Sequence, residues 1–163
     1  MSYALCVCLV IYRSLASAKI PAHLEPTGIC RSDGKRPNGA TVLPWKSGRN
    51  LVWNATCPDT FAPSHLGLAA RGAGAVADQA EERKWVKYAE LATTHHFVPL
   101  AVETTGVFGS ETQMFFKELG RQIKDESGKP QALQYLLQRI SVAVQWGNTV
   151  AVLGTSSPDD FDI

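Results

Sequence analysis

Little in this 163-residue sequence points to a metal cluster, a membrane or a repeat. Cysteine is scarce. The only close pair among Cys6, Cys8, Cys30 and Cys57 is C-x-C, and no Cys/His pair follows it, so the spacings of structural zinc sites are excluded. Four scattered thiols in a domain of ordinary size read as reduced. There is no internal repeat and no low-complexity stretch, which excludes solenoids and arrays. Net charge is only +1, so overall charge argues for no polyanionic partner. Apolar residues at 45% and charged residues at 19% exclude a disordered chain and fit a single globular domain.

The apolar run Ala4–Tyr12 has nine residues, against about twenty needed to cross a bilayer, so no membrane span is expected. Ala16-Ser17-Ala18 resembles a signal-peptidase site, but no Lys or Arg precedes the run and Arg13 interrupts it. Residues 1–14 therefore read as an apolar segment entering the domain, with a secretory signal as the alternative. The chain is expected inside the cell, in cytoplasm or nucleus. The secreted alternative would make Asn54-Ala55-Thr56 a glycosylation sequon.

What is present is an alternation of strand and helix signals. Residues 19–40 are rich in Pro, Gly and charge and read as an extended, turn-filled segment. Ala40–Trp45 and Asn50–Cys57 flank the polar turn Lys46-Ser47-Gly48-Arg49, a hairpin signal. Ala77–Leu91 reads as helix and His96–Glu103 as a buried strand despite Pro99. The buried acid this gives at Glu103 requires a partner. Ser110-Glu111-Thr112-Gln113 has the pattern of a capping box opening a helix that Gly128 ends. A last helix opens at Pro130, carries Leu133, Leu136, Leu137, Ile140 and Val144 on one face, and is expected to stop at Gly147. The order predicts an α/β fold with a small mixed β-sheet flanked by helices, over residues 15–155, with residues 156–163 as an acidic tail.

Charge is unevenly spread. Residues 1–75 hold eight Lys/Arg against three Asp/Glu, and Arg31, Lys35, Arg36, Lys46 and Arg49 form a basic group suited to phosphates or to plain solvation. Metal-dependent phosphodiester hydrolysis needs carboxylates to hold Mg²⁺ and a cation to support the water or the leaving oxygen. A common arrangement puts one Asp at the start of a hairpin and a second acid midway along its next strand. The corresponding places hold Asn38 and Asn54, sixteen residues apart across the hairpin. Alone, Asn38-Gly39 reads as a tight turn. Glu81 and Lys84 read equally as an exposed helix pair.

The blocks GKRPNGATVLPW, LVWNATCPDTFAPSH, FVPLAVETTGVFG and LLQRISVAVQWGNTVAVLGT resemble, in order, a C-terminal region of retroelement polyproteins of invertebrates, where a domain similar to the PD-(D/E)xK nucleases follows a reverse transcriptase. The resemblance covers about residues 15–155 and implies a restriction-endonuclease-like core. In that family the first motif reads R-P-D-G and the second W-D-A-T-C, so Asn38 and Asn54 stand where metal-binding Asp is expected. Thr56 stands where many such nucleases carry Lys. In the similar endonuclease of site-specific retrotransposons the lysine moves to a following helix with K-x-x-K-Y spacing, which Lys84-Trp85-Val86-Lys87-Tyr88 matches. The resemblance thus assigns Lys84 and Lys87 the ancestral catalytic role, and Asn38 and Asn54 the ancestral metal positions. Glu25 is a further candidate on the metal side, with a solvated glutamate as the alternative. Active relatives use Mg²⁺; with both Asp replaced, no cofactor is expected here. The reading is a nuclease-like domain of retroelement origin that has lost its activity and keeps weak contact with DNA. A host binding or scaffold module reusing the fold is the alternative, and a secreted glycoprotein a third reading.

Overall fold

A computed structural model describes residues 3–155; the acidic tail 156–163 lies outside the described residues. Helix α1 (Tyr3–Ser17) forms because Val7, Cys8, Ile11 and Leu15 recur on one face, and all four are buried. Burying each such aliphatic side chain contributes about 1.5–3 kcal/mol, so this helix is built into the core. It packs on the last helix and on the central strand.

The extended segment that follows contains a three-residue strand, β1 (Ala22–Leu24), which the sequence reading did not find. Strands β2 (Gly39–Lys46) and β3 (Arg49–Thr56) form the expected hairpin, turning through Ser47 and Gly48 at φ 52° and 72°, values that a tight two-residue turn requires. After a short helix, α2 (Leu66–Ala69), come α3 (Ala75–Lys87), a 3₁₀ turn (Leu91–Thr93) and strand β4 (His96–Ala101). The sheet order is β1-β2-β3-β4, antiparallel as far as β3, with β4 parallel to β3. Pro99 is accommodated because β4 is an edge strand, where a missing N–H removes no second ladder. The fold is a mixed four-stranded sheet flanked by helices.

Side chains divide by sheet face. Leu51, Trp53 and Ala55 of β3 join Val98 and Leu100 of β4 in a core with α1, α4 (Ser110–Ser127) and α5 (Ala132–Thr155). Val52 points the other way, with Ala40 and Phe97, and is covered by Tyr88 and Leu91. No helix of the described residues is long and apolar enough to cross a membrane.

Three local expectations fail for reasons of tertiary packing. Helix α5 does not stop at Gly147 but runs to Thr155. Glycine is there because a Cβ would run into the Tyr3 ring of α1, so close helix approach offsets its poor helix propensity. The capping box at Ser110 does not form. Gly109 is the N-cap, and the first N–H groups of α4 are taken by α3: Ser110 N donates to Asp78 (2.8 Å), while Glu111 N and Thr112 N donate to Glu81 (3.0 Å each). Glu81 is therefore no surface partner of Lys84. It is 3% exposed, burial raises its carboxyl above the usual range, and Thr112 Oγ1 also donates to it at 2.6 Å. Glu103 finds its partners in the Thr60 hydroxyl (2.8 Å) and the Ala77 N–H (3.1 Å) near the start of α3. These two buried carboxylates satisfy orphan helix N–H groups, Glu81 tying α3 to the start of α4 and Glu103 tying the segment after β4 to the start of α3.

Candidate functional site

Asn54 lies on the same face of β3 as Val52, two residues further along. It is 5% exposed, and among the described residues its Oδ1 has no hydrogen-bond partner. Such a group costs about 1–3 kcal/mol of desolvation, so its retention needs a reason other than stability.

Asn38 sits one residue before β2 and holds the strand beside it on both sides of Asn54. Its N–H donates to the Trp53 carbonyl (3.0 Å), and its Oδ1 accepts the Ala55 N–H at 2.7 Å. The side chain thus takes a place that a strand carbonyl would otherwise fill. The tight-turn reading of Asn38-Gly39 does not hold: neither residue has positive φ, and Gly39 opens β2 with the Trp53 indole lying where a Cβ would be. Glycine is required there by that close approach.

Glu25 follows β1 directly, and its N–H donates to the Asn38 carbonyl (2.8 Å). Three neighbouring chain segments therefore bring Glu25, Asn38 and Asn54 to the same end of the sheet. The Glu25 side chain is exposed, and its backbone has φ 46°, in the left-handed region that costs a non-glycine residue about 1 kcal/mol.

Lys84 comes from α3, one turn before Tyr88, the residue that covers Val52. Its Nζ is 6.0 Å from the centre of the Tyr88 ring, and the Arg31 guanidinium lies over the same ring at 5.2 Å. Burial, then the charges of Lys87, Arg31 and Lys35, pull the Lys84 ammonium below the usual lysine range. Among the described residues no carboxylate forms an ion pair with Lys84 or Lys87; Arg31 pairs with Asp33 at 3.1 Å. Lys87 is exposed in the last turn of α3. Thr56, two residues beyond Asn54, supplies no cation; Lys84, beside the Tyr88 ring, is a half-buried ammonium on this side of the sheet.

Arg31, Lys35 and Tyr88 belong to the same locality but were not among the candidate residues read from sequence. Their signal was present in part, as the basic group of the extended segment and as the tyrosine of the K-x-x-K-Y stretch. The path that carries Arg31 over Tyr88 is set by loop geometry, including the Arg31 N–H to Lys35 carbonyl bond (2.8 Å).

The donor set does not fit a divalent ion. The one carbonyl oxygen of the Asn38 amide is occupied by Ala55, Asn54 offers a neutral dipole, and Glu25 is the sole carboxylate in the row. Among the described residues no cluster of three or more His, Cys, Asp or Glu could hold a metal. The thiols add no ligand chemistry: burial pushes Cys8 and Cys57 up to about 12. What the chain brings together here is two neighbouring amides at one end of the sheet, with Lys84 and Arg31 beside the Tyr88 ring that covers the same face. Compared with protein-family models and with curated proteins, the chain matches none.

Proposed function

We propose that this chain is a restriction-endonuclease-like domain of retroelement origin whose phosphodiester-cleaving chemistry has been lost, and which keeps contact with nucleic acid. One observation carries the reading. Asn38, at the start of β2, hydrogen-bonds on either side of Asn54, midway along β3, and α3 brings Lys84 to that strand face. A mixed sheet flanked by helices is the architecture the resemblance implies, and the two asparagines occupy the places it assigns to metal-binding Asp. Asn is isosteric with Asp, so the fold survives the exchange. The ion-holding charge does not, because such sites depend on one or two carboxylates.

Nicking of supercoiled plasmid tests this. Wild-type protein with Mg²⁺ or Mn²⁺ is expected to leave the plasmid intact. The double variant Asn38→Asp/Asn54→Asp should nick it, and adding Lys84→Ala should abolish the nicking by removing the supporting cation. Metal-dependent nicking by the wild-type chain would overturn the loss of activity.

A further inference from the structure

We propose that the groove between α1 and α5 seats an acidic amphipathic helix of a partner protein. The groove is lined by none of the residues of the site described above, and the inference does not depend on the nuclease-like reading.

Helical spacing builds the groove. On α5, Leu136, Ile140 and Val144 are buried in the core, while Tyr135, Arg139, Val142 and Trp146 step by four, three and four along a second stripe. Tyr135, Val142 and Trp146 are each more than half exposed. Large apolar side chains gathered in one stripe mark an interaction surface, whereas scattered ones do not. On α1, Cys6, Val10 and Arg13 recur at helical spacing and face that stripe across a hollow of about 520 Å³. A second hollow of about 340 Å³ continues it between Ser14, Ser17 and Ala132, and Tyr135 and Arg139 line both.

Tyr3 lies against Gly147 at one end and Ser17 beside Ala132 at the other, so α1 and α5 run antiparallel. From Ala132 to Trp146 the groove extends about 20 Å, at about 1.5 Å per residue, which is room for about four turns of another helix. A third helix laid on an antiparallel pair is the packing of a bundle and the common mode of helix-in-groove recognition.

Charge selects the occupant. The charged residues lining the two hollows are Arg13, Lys129 and Arg139, and no carboxylate lines either. Among the described residues none of the three forms an ion pair. An apolar floor flanked by unpaired cations complements a helix with apolar residues at i, i+3, i+4 and i+7 and with Asp or Glu beside them. A second copy of this chain is a poor complement, because twofold pairing sets the basic lining against its own image. An anionic bilayer would meet the projecting Val142 and Trp146 but leave the hollows between the helices unfilled.

Fluorescence anisotropy tests this with two labelled helical peptides of about four turns. Both carry Leu and Phe along one face; one has Glu on either side of that face, the other Lys at the same places. The full chain should bind the Glu peptide at least about tenfold more tightly than the Lys peptide, with the preference shrinking at high salt. Val142→Asp should weaken the Glu peptide about tenfold by placing a charge in the apolar floor. Arg13→Glu/Arg139→Glu should reverse the preference, so that the Lys peptide becomes the tighter ligand; Arg13 and Arg139 are exposed, and a gain of binding cannot come from a failure to fold. The proposal is overturned if the Glu peptide does not bind, or binds no better than the Lys peptide. Binding that Val142→Asp leaves unchanged overturns it as well. Vesicles of phosphatidylcholine and phosphatidylserine that hold the chain while both peptides leave it free would assign the surface to a membrane instead. A dimer in sedimentation that Val142→Asp dissociates, with no peptide binding, would assign it to a second copy.

Discussion

Replacing Asn54 with leucine should make the protein more stable, although it alters a buried residue of the central strand. The Asn54 side chain is 5% exposed and its Oδ1 has no partner, so the folded state carries the desolvation of a polar group without return. That penalty is about 1–3 kcal/mol. Leucine keeps the branching at Cγ, removes the penalty and adds apolar burial against the Val52 side of the sheet. Slight overpacking subtracts from this, leaving a gain of about 1–2 kcal/mol. For a domain of this length that is about 4 °C in melting temperature. Asn38 should behave oppositely. Its Oδ1 satisfies the Ala55 N–H at 2.7 Å, and Asn38→Ala leaves that donor unpaired, at about 1–2 kcal/mol. Asn38→Asp keeps an acceptor in place and should cost little. Urea unfolding at pH 7, with unchanged m-values, reads both effects as shifts in midpoint. A loss of more than about 1 kcal/mol in Asn54→Leu would refute this, because it would mean that the amide has a partner worth keeping.

Three further outcomes follow from the same structure. Burial pushes Cys8 and Cys57 up to about 12, leaving about one thiolate in ten thousand at pH 8, so iodoacetamide should modify exposed Cys30 in native protein and reach the other two only on unfolding, as peptide mass spectrometry would show. Glu81→Ala strips the acceptors from Glu111 N, Thr112 N and the Thr112 hydroxyl, and should cost about 2–4 kcal/mol, with hydrogen exchange accelerating first at the start of α4. Burial, then Lys46, lowers His96 below its usual value. The folded form resists protonation, so the stability this confers is present above about pH 6.5 and lost as pH falls through the folded-state value; His96→Gln should flatten that part of the stability–pH curve.

What was legible in the sequence was whatever local pattern decides. The hairpin announced itself through Lys46-Ser47-Gly48-Arg49 between two apolar runs, and its arithmetic was enough to bring Asn38 and Asn54 to one place. The helical face Leu136/Ile140/Val144 follows the same logic. The misses share a physical cause, a partner distant in the chain. Gly147 looks like a stop signal until Tyr3 is seen against it. Ser110–Gln113 looks like a self-sufficient cap until Asp78 and Glu81 take its N–H groups from about thirty residues away. Strand β1 is three residues long and carries no periodicity to detect. At the site, the basic extended segment was visible as composition, but its convergence with Lys84 depends on the loop that seats Arg31 on Tyr88.

If Asn38 and Asn54 hold the places of two metal-binding carboxylates, as we propose, Asp at both positions restores a divalent-ion site, and uptake of Mn²⁺ reads this without reference to activity. Electron paramagnetic resonance of free Mn²⁺ reports the ion taken up by the wild-type chain, each single Asn→Asp variant and the double variant. The prediction is one ion bound by the Asn38→Asp/Asn54→Asp protein, markedly less by either single variant, and none by the wild-type chain. A folded double variant that binds no Mn²⁺, or a wild-type chain that binds it equally well, would contradict the claim.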